Sequence, residues 1–68
     1  MIMREKILDV IKQETYRRMT AQELANVLDA TSSDDFKELV KALVQLEDDH
    51  ILERDKKDRY DLMERFGY

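Results

Sequence analysis

Cysteine and proline are absent from this 68-residue sequence, and glycine occurs once. Without cysteine, the chain has no disulfide bond and no thiolate ligand for a metal ion. With so little glycine and proline, a succession of tight turns is not expected, and helices with one or two short strands are the default. Charged residues interrupt every hydrophobic stretch, so we expect neither a signal peptide nor a membrane-spanning helix.

The balance of apolar and charged residues is that of a small folded domain. Hydrophobic residues make up 43% of the chain and charged residues 41%, which is too apolar for a disordered tail. A chain of this length forms one small domain at most, and it buries about 60% of its unfolded surface.

Charge is distributed unevenly along the chain, whose net charge is −4. Residues 29–49 hold seven acids and two lysines, whereas residues 1–20 hold five cations and three acids. Residues 50–68 hold five of each sign. Contact with a polyanion is therefore expected on the flanks and not in the acidic middle.

Catalytic and metal-binding motifs are not found in the sequence. It has one histidine and neither a glycine-rich phosphate loop nor a serine-nucleophile motif. His50 follows two aspartates, which is compatible with a metal ligand, but a histidine that ends a helix is the preferred interpretation. The acid run from Asp29 to Asp35 lacks the central glycine of a calcium loop and is interpreted as helix-start chemistry. We predict no catalytic residue, metal ligand or cofactor in this segment.

Apolar spacing predicts three helices. The first spans residues 3–14. Thr20 and Glu23 have the spacing of a capping box and predict the start of a short second helix. Ser32 with Asp35, or Ser33 alone, is expected to start the third helix, which should end near Asp49, with His50 closing it.

After the third helix the pattern changes to that of a β-hairpin. Residues 51–54 and 59–62 flank the polar residues 55–58, which lack glycine and favour a type I turn. Residues 17–19 are the candidate third strand, because an isolated hairpin is only marginally stable. This order predicts a mainly α fold with a small β-hairpin, specifically a winged helix-turn-helix. We assign the domain to residues 1–62 and a linker to residues 63–68.

The helix periodicity also predicts the hydrophobic core. Each helix should contribute the residues of its apolar side to one cluster, which we expect to contain Phe36, Leu39, Leu43, Ile7, Ile11 and Leu24.

The third helix is a weak candidate for reading duplex DNA. It presents Lys37 and Lys41, but Asp34 and Glu38 each lie three residues before a lysine and are expected to neutralise it in part. The helix has no arginine, the usual reader of guanine. Sequence-specific recognition of duplex DNA is therefore not expected.

The hairpin is the stronger candidate for a nucleic-acid contact. Cations with an adjacent aromatic residue suit single strands, because phosphates are neutralised while a base stacks. The candidate residues are Arg54, Lys56, Lys57, Arg59 and Tyr60, with Arg17 and Arg18 from the expected third strand. An ordinary solvated turn with Tyr60 packed inward explains the same residues equally well, since charged hairpins also prevent edge aggregation.

Several segments of the chain together resemble one known family. They are residues 19–24, residues 33–43, Leu46 and Glu47, residues 51–54, and Arg59 with Tyr60, and the most specific of them runs from Asp34 to Lys41. These segments resemble the N-terminal helix-turn-helix (winged-helix) domain of bacterial ribonuclease R over residues 3–62. Arg18 departs from the family, where a proline is expected.

The resemblance implies a cytoplasmic, magnesium-dependent 3′-to-5′ exoribonuclease that degrades structured RNA. The cold-shock-like domains, the catalytic domain and the S1 domain of that enzyme would follow this segment, so they are expected partners within the same polypeptide. The catalytic acids and the magnesium belong to that part, and no residue here inherits a catalytic role. We expect RNA as the ligand and no contact with a membrane.

Two other functions stay open at this point. One is a stand-alone regulator that binds duplex DNA, which the acidic third helix argues against. The other is a protein-interaction module that uses the acidic surface of residues 29–49 for a basic partner, which nothing in the sequence eliminates.

Overall fold

The computed structural model describes residues 2–67, which form three helices and a two-stranded antiparallel sheet. Helix α1 spans Met3–Ile11, α2 spans Ala21–Val27 and α3 spans Ser33–Asp48. Strands β1 and β2 span Leu52–Arg54 and Tyr60–Leu62, and a 3₁₀ turn follows at Met63–Phe66. The mainly helical fold with a small hairpin is therefore as the sequence predicts.

Helix α1 ends three residues earlier than predicted. If the helix continued to residue 14, the backbone carbonyl of Ile11 would accept a hydrogen bond from the backbone N–H of Thr15. The guanidinium of Arg65 donates to that carbonyl instead, at 2.9 Å. After Ile11 the chain leaves the helical path and brings Tyr16 to β2, where the Tyr16 hydroxyl donates a hydrogen bond to the carbonyl of Tyr60.

The predicted starts of α2 and α3 are confirmed. The Thr20 hydroxyl accepts from the backbone N–H of Glu23, and the Glu23 carboxylate accepts from the backbone N–H of Thr20, which is a complete capping box. The Ser32 hydroxyl accepts from the backbone N–H of Asp35 at 3.2 Å. Local chemistry therefore sets where both helices begin.

Two non-glycine residues end α2 and α3 in the left-handed conformation. His50 has a φ of 61°, and the backbone N–H of Ile51 donates back to the carbonyl of Leu46, as in a Schellman motif. His50 closes α3 as predicted. Asp29, with a φ of 57°, ends α2 in the same way, so it does not belong to the helix-start chemistry expected of the acid run.

The hairpin is smaller than predicted, and the third strand is reduced to one bridge. Leu52 pairs with Leu62 and Arg54 with Tyr60. Of the candidate third strand, Met19 alone is paired, and its carbonyl accepts from the N–H of Tyr60 at 2.8 Å.

The predicted core cluster forms at the junction of the three helices and the hairpin. Ile7, Ile11, Leu24, Leu39 and Leu43 are fully buried and belong to one cluster, and Phe36 packs against it half-buried. Leu46 and Leu52 extend the cluster to β1. The hairpin therefore has a fixed position on the helices.

Residues 63–66, where the sequence predicts a linker, contact the rest of the described chain. Besides its bond to the α1 carbonyl, Arg65 donates to the Asp61 carboxylate at 3.2 Å. The guanidinium of Arg18 lies 4.1 Å from the ring centroid of Phe66. The domain boundary at residue 62 stays a prediction.

Candidate nucleic-acid interface

Asp55 builds the loop between the two strands. Its Oδ1 atom accepts from the backbone N–H groups of Lys57 and Arg59, at 2.8 and 3.0 Å. The N–H of Asp58 donates to the Asp55 carbonyl, and Asp58 has a φ of 59°. This is the arrangement of a type I turn followed by a left-handed residue, and it holds Lys56 and Lys57 at the tip.

The same hydrogen bonds perturb the titration of Asp55. Partial burial acts to raise its pKa, but the backbone N–H groups of Arg59 and Lys57 and the Arg59 guanidinium outweigh this effect. The pKa therefore lies below its ordinary value of 3.8. The charged form of Asp55 is part of the loop's structure.

Three of the candidate arginines are held in ion pairs, so the expectation that they are available to neutralise phosphates is wrong for them. Arg59 Nε lies 3.0 Å from Asp55 Oδ2, and Arg54 Nε lies 3.3 Å from a carboxylate oxygen of Glu47. Arg18 Nε lies 3.1 Å from Asp61 Oδ2. The Arg54 pair links the hairpin to α3 and the Arg18 pair links it to the segment before α2, whereas the Arg59 pair lies within the hairpin. A phosphate would have to compete with a carboxylate for each of these arginines.

Tyr60 is not placed to stack on a base. Its side chain belongs to the core cluster, and the residue is 7% exposed. Burial raises its pKa above the usual value, and the nearby carboxylate of Glu47 adds to the increase. Of the two interpretations of Tyr60 from sequence, the inward-packed one is confirmed.

Three candidate cations of the hairpin region are exposed and have no ion pair with any described residue: Arg17, Lys56 and Lys57. They do not form one cluster. Because Met19 pairs with Tyr60 in antiparallel sense, Arg17 lies toward the Leu62 end of β2, away from the loop. Of the six candidate cations of the hairpin region, the lysine pair and the separate Arg17 therefore have no ion pair with a described residue.

Lys37 and Lys41 are exposed on α3, and neither is within 4 Å of an acidic oxygen of any described residue. The expected local neutralisation by Asp34 and Glu38 is therefore not seen as ion pairs. The acidic charge of residues 29–49 still surrounds these lysines.

A buried carboxylate that the sequence analysis did not single out ties four segments together. Asp61 is 6% exposed, and its carboxylate accepts hydrogen bonds from the Arg18 and Arg65 guanidinium groups and from the backbone N–H of Leu62. Arg65 in turn reaches the end of α1. In a strand with one buried face, side chains alternate between buried and exposed. Tyr60 and Leu62 are buried, so this alternation predicts an exposed Asp61, whereas all three residues of β2 are buried.

Possible metal ligands do not converge in the part of the chain that the structure describes. Among residues 2–67, no group of three His, Cys, Asp or Glu side chains is arranged to hold a metal ion. The acidic side chains described here therefore do not fit the magnesium that the ribonuclease R resemblance implies. In the same part of the chain, no helix is both long and apolar enough to cross a membrane.

Comparison with known proteins does not assign a family. The chain matches no protein-family model, and no curated protein is similar enough to count as a relative.

Proposed function

We propose that this chain is a winged helix-turn-helix module that binds single-stranded RNA through the tip of its hairpin. In this proposal it is an accessory part of a longer cytoplasmic polypeptide of the ribonuclease R type. It positions RNA for a magnesium-dependent catalytic domain that lies elsewhere in that polypeptide. Support for the winged-helix arrangement comes from the element order and from the single bridge between Met19 and β2.

The observation that carries the proposal is the exposed lysine pair on a fixed loop. Lys56 and Lys57 have no acidic partner among the described residues, and the Asp55 carboxylate accepts hydrogen bonds from two backbone N–H groups of the loop and from the Arg59 guanidinium. Two cations with a fixed spacing neutralise neighbouring phosphates without ordering a flexible loop. Arg17 is the third unpaired cation available to a strand that continues along β2.

The arrangement favours a weak contact that does not depend on base sequence. Arg18, Arg54 and Arg59 are engaged by carboxylates, and Tyr60 is buried, so little remains to recognise bases. Two or three neutralised phosphates on a single strand give a log–log salt slope of about −1.4 to −2.1. The net charge of −4 opposes the approach of RNA and lowers affinity further.

The test is a titration of labelled single-stranded RNA, duplex RNA and duplex DNA at two salt concentrations. Replacing Lys56 and Lys57 together by alanine should flatten the slope by about 1.4 units, because two phosphate contacts are lost. The matched control replaces Lys6 and Lys12, two exposed lysines of the α1 segment, which removes the same charge elsewhere. RNA binding by this control variant should keep most of the wild-type salt dependence.

Two results would contradict the proposal. If the double alanine variant of Lys37 and Lys41 loses binding while the loop variant binds normally, α3 is the contact surface. Preference for duplex DNA would then favour the stand-alone regulator. If wild type binds none of the three nucleic acids even at low salt, the protein-interaction module with its acidic surface is the better explanation.

Hydrolysis of RNA is not expected of this chain. Metal-assisted cleavage needs carboxylates that converge on open coordination positions, and none converge among the described residues. Incubation with RNA in magnesium buffer should leave the substrate intact.

A further inference from the structure

The outward face of α3 carries a stripe of exposed side chains that no other described element covers. Lys37, Lys41, Val44 and Asp48 follow one another at spacings of four, three and four residues, which places them on one side of a helix. Val44 is 48% exposed, and Val40 beside the stripe is 37% exposed. The opposite side of the helix holds the buried residues Leu39, Leu43 and Leu46.

The charges of this stripe lack partners, although their neighbours have them. Asp49 pairs with Arg4 at 2.7 Å, and Glu47 pairs with Arg54. Asp48 lies between these two acids, is exposed, and has no ion pair within residues 2–67. Lys37 and Lys41 are equally unpaired against that part of the chain.

Asp48 and Lys37 also oppose the dipole of their own helix, whereas Lys41 lies near its middle. An acid in the last turn faces the negative end of the helix, which has no basic residue there, and a lysine in the N-terminal half faces the positive end. Their placement does not stabilise α3 itself. It does suit a second helix that runs in the opposite direction, because the two dipoles and the two charge patterns then complement each other.

The stripe is complementary to itself. Lys37 and Asp48 are equally far from the midpoint between Ala42 and Leu43, and so are Lys41 and Val44. When two copies of α3 cross antiparallel about a two-fold axis at this midpoint, Lys37 faces the partner's Asp48 and Lys41 packs along the partner's Val44. The spacing of four, three and four is also that of the seam of an antiparallel coiled coil.

We propose that the outward face of α3 binds a second copy of this chain in an antiparallel, two-fold symmetric dimer. A contact between two single helices is small, below the roughly 1,200 Å² that stable complexes bury, so the dimer is weak and concentration-dependent. Salt weakens it, because the ion pairs at both ends lie at the surface. The inference does not depend on RNA binding.

The test is analytical ultracentrifugation from about 10 µM to about 1 mM, a range that covers weak association. Wild type should shift toward twice its monomer mass. Lys37→Glu and Asp48→Lys should each weaken association at least about tenfold, because like charges then face each other at both ends. The double variant should restore the dimer, since the pair is reversed and not removed.

Two further variants keep the result interpretable. Val44→Lys should also abolish association, because it places four lysines at the centre of the contact. Asp9→Lys changes the charge of an exposed α1 residue by the same amount as Asp48→Lys, and it should leave the dimer intact. Both charge reversals on α3 favour the helix dipole, so thermal melting should show monomers at least as stable as wild type.

The proposal is overturned by any of three results. The first is a wild type that remains monomeric across the range, and the second is a pair of single reversals that both dimerise like wild type. The third is a loss of dimerisation in both single reversals that the double variant does not restore.

Discussion

Replacement of Asp61 by asparagine tests what holds the hairpin to the helices. The carboxylate is 6% exposed, and it accepts from Arg18 Nε at 3.1 Å and from Arg65 Nη1 at 3.2 Å. Its Oδ1 atom also accepts from the backbone N–H of Leu62 at 2.8 Å. Asparagine keeps an oxygen for that backbone bond but removes the charge that both arginines face.

The size of the effect follows from burial. Breaking a buried ion pair costs about 3–5 kcal/mol, because the remaining charge is uncompensated. The side chains of Arg18 and Arg65 are 33% and 36% exposed, so water compensates part of their charge. We expect Asp61→Asn to lower the free energy of unfolding by about 2–3 kcal/mol. In a domain of this size that loss lowers the melting temperature by roughly 10–20 °C.

Thermal and urea unfolding followed by far-UV circular dichroism measure this loss. Asp9→Asn is the control, because it removes the same charge from an exposed position on α1 and should change stability by less than about 0.5 kcal/mol. If Asp61→Asn is no less stable than the control, the ion pairs of Asp61 do not hold the hairpin and the reasoning is refuted.

Three further predictions concern the core, a helix end and pH. Leu39→Ala should cost about 2–5 kcal/mol, because Leu39 is fully buried, and most molecules should be unfolded at 37 °C; a melting temperature lowered by one or two degrees would contradict the packing. His50→Gly should stabilise the fold by about 0.5–1 kcal/mol in urea unfolding. Glycine avoids the strain of a positive φ, and this gain exceeds the extra conformational entropy that glycine loses on folding. A destabilised variant would contradict this. The lowered pKa of Asp55 means that its charge stabilises the fold above about pH 4 and that this contribution is lost as pH falls through the folded-state pKa. The stability difference between wild type and Asp55→Asn should therefore shrink in urea titrations below pH 4, and a constant difference would refute the assignment.

Features set by neighbouring residues could be predicted from the sequence. The capping box of Thr20 and Glu23, the Ser32 cap and the end of α3 at His50 depend on residues within one turn of each other. The core cluster follows from helical periodicity, which the sequence displays directly. These elements are correct because local chemistry and packing favour the same structure.

Features set by distant residues could not be predicted. The last carbonyl of α1 accepts a hydrogen bond from Arg65, which lies 54 positions away along the chain. Arg18 and Asp61 are 43 positions apart, so a count of charges among the sequence neighbours of Arg18 does not reveal its ion pair with Asp61. Conversely, Asp34 and Glu38 lie close to Lys37 and Lys41 in the sequence but do not form ion pairs with them in the described structure. A count of local charge does not show which cations are available to a ligand.

The most direct test of the central claim is a titration of the ¹⁵N-labelled chain with a short oligouridylate, followed by amide chemical shifts. We expect the largest changes in the loop of residues 55–58, with smaller changes near Arg17, and saturation that weakens as salt is added. Changes confined to the outward face of α3, or no change at low salt and millimolar RNA, would contradict binding at the hairpin tip.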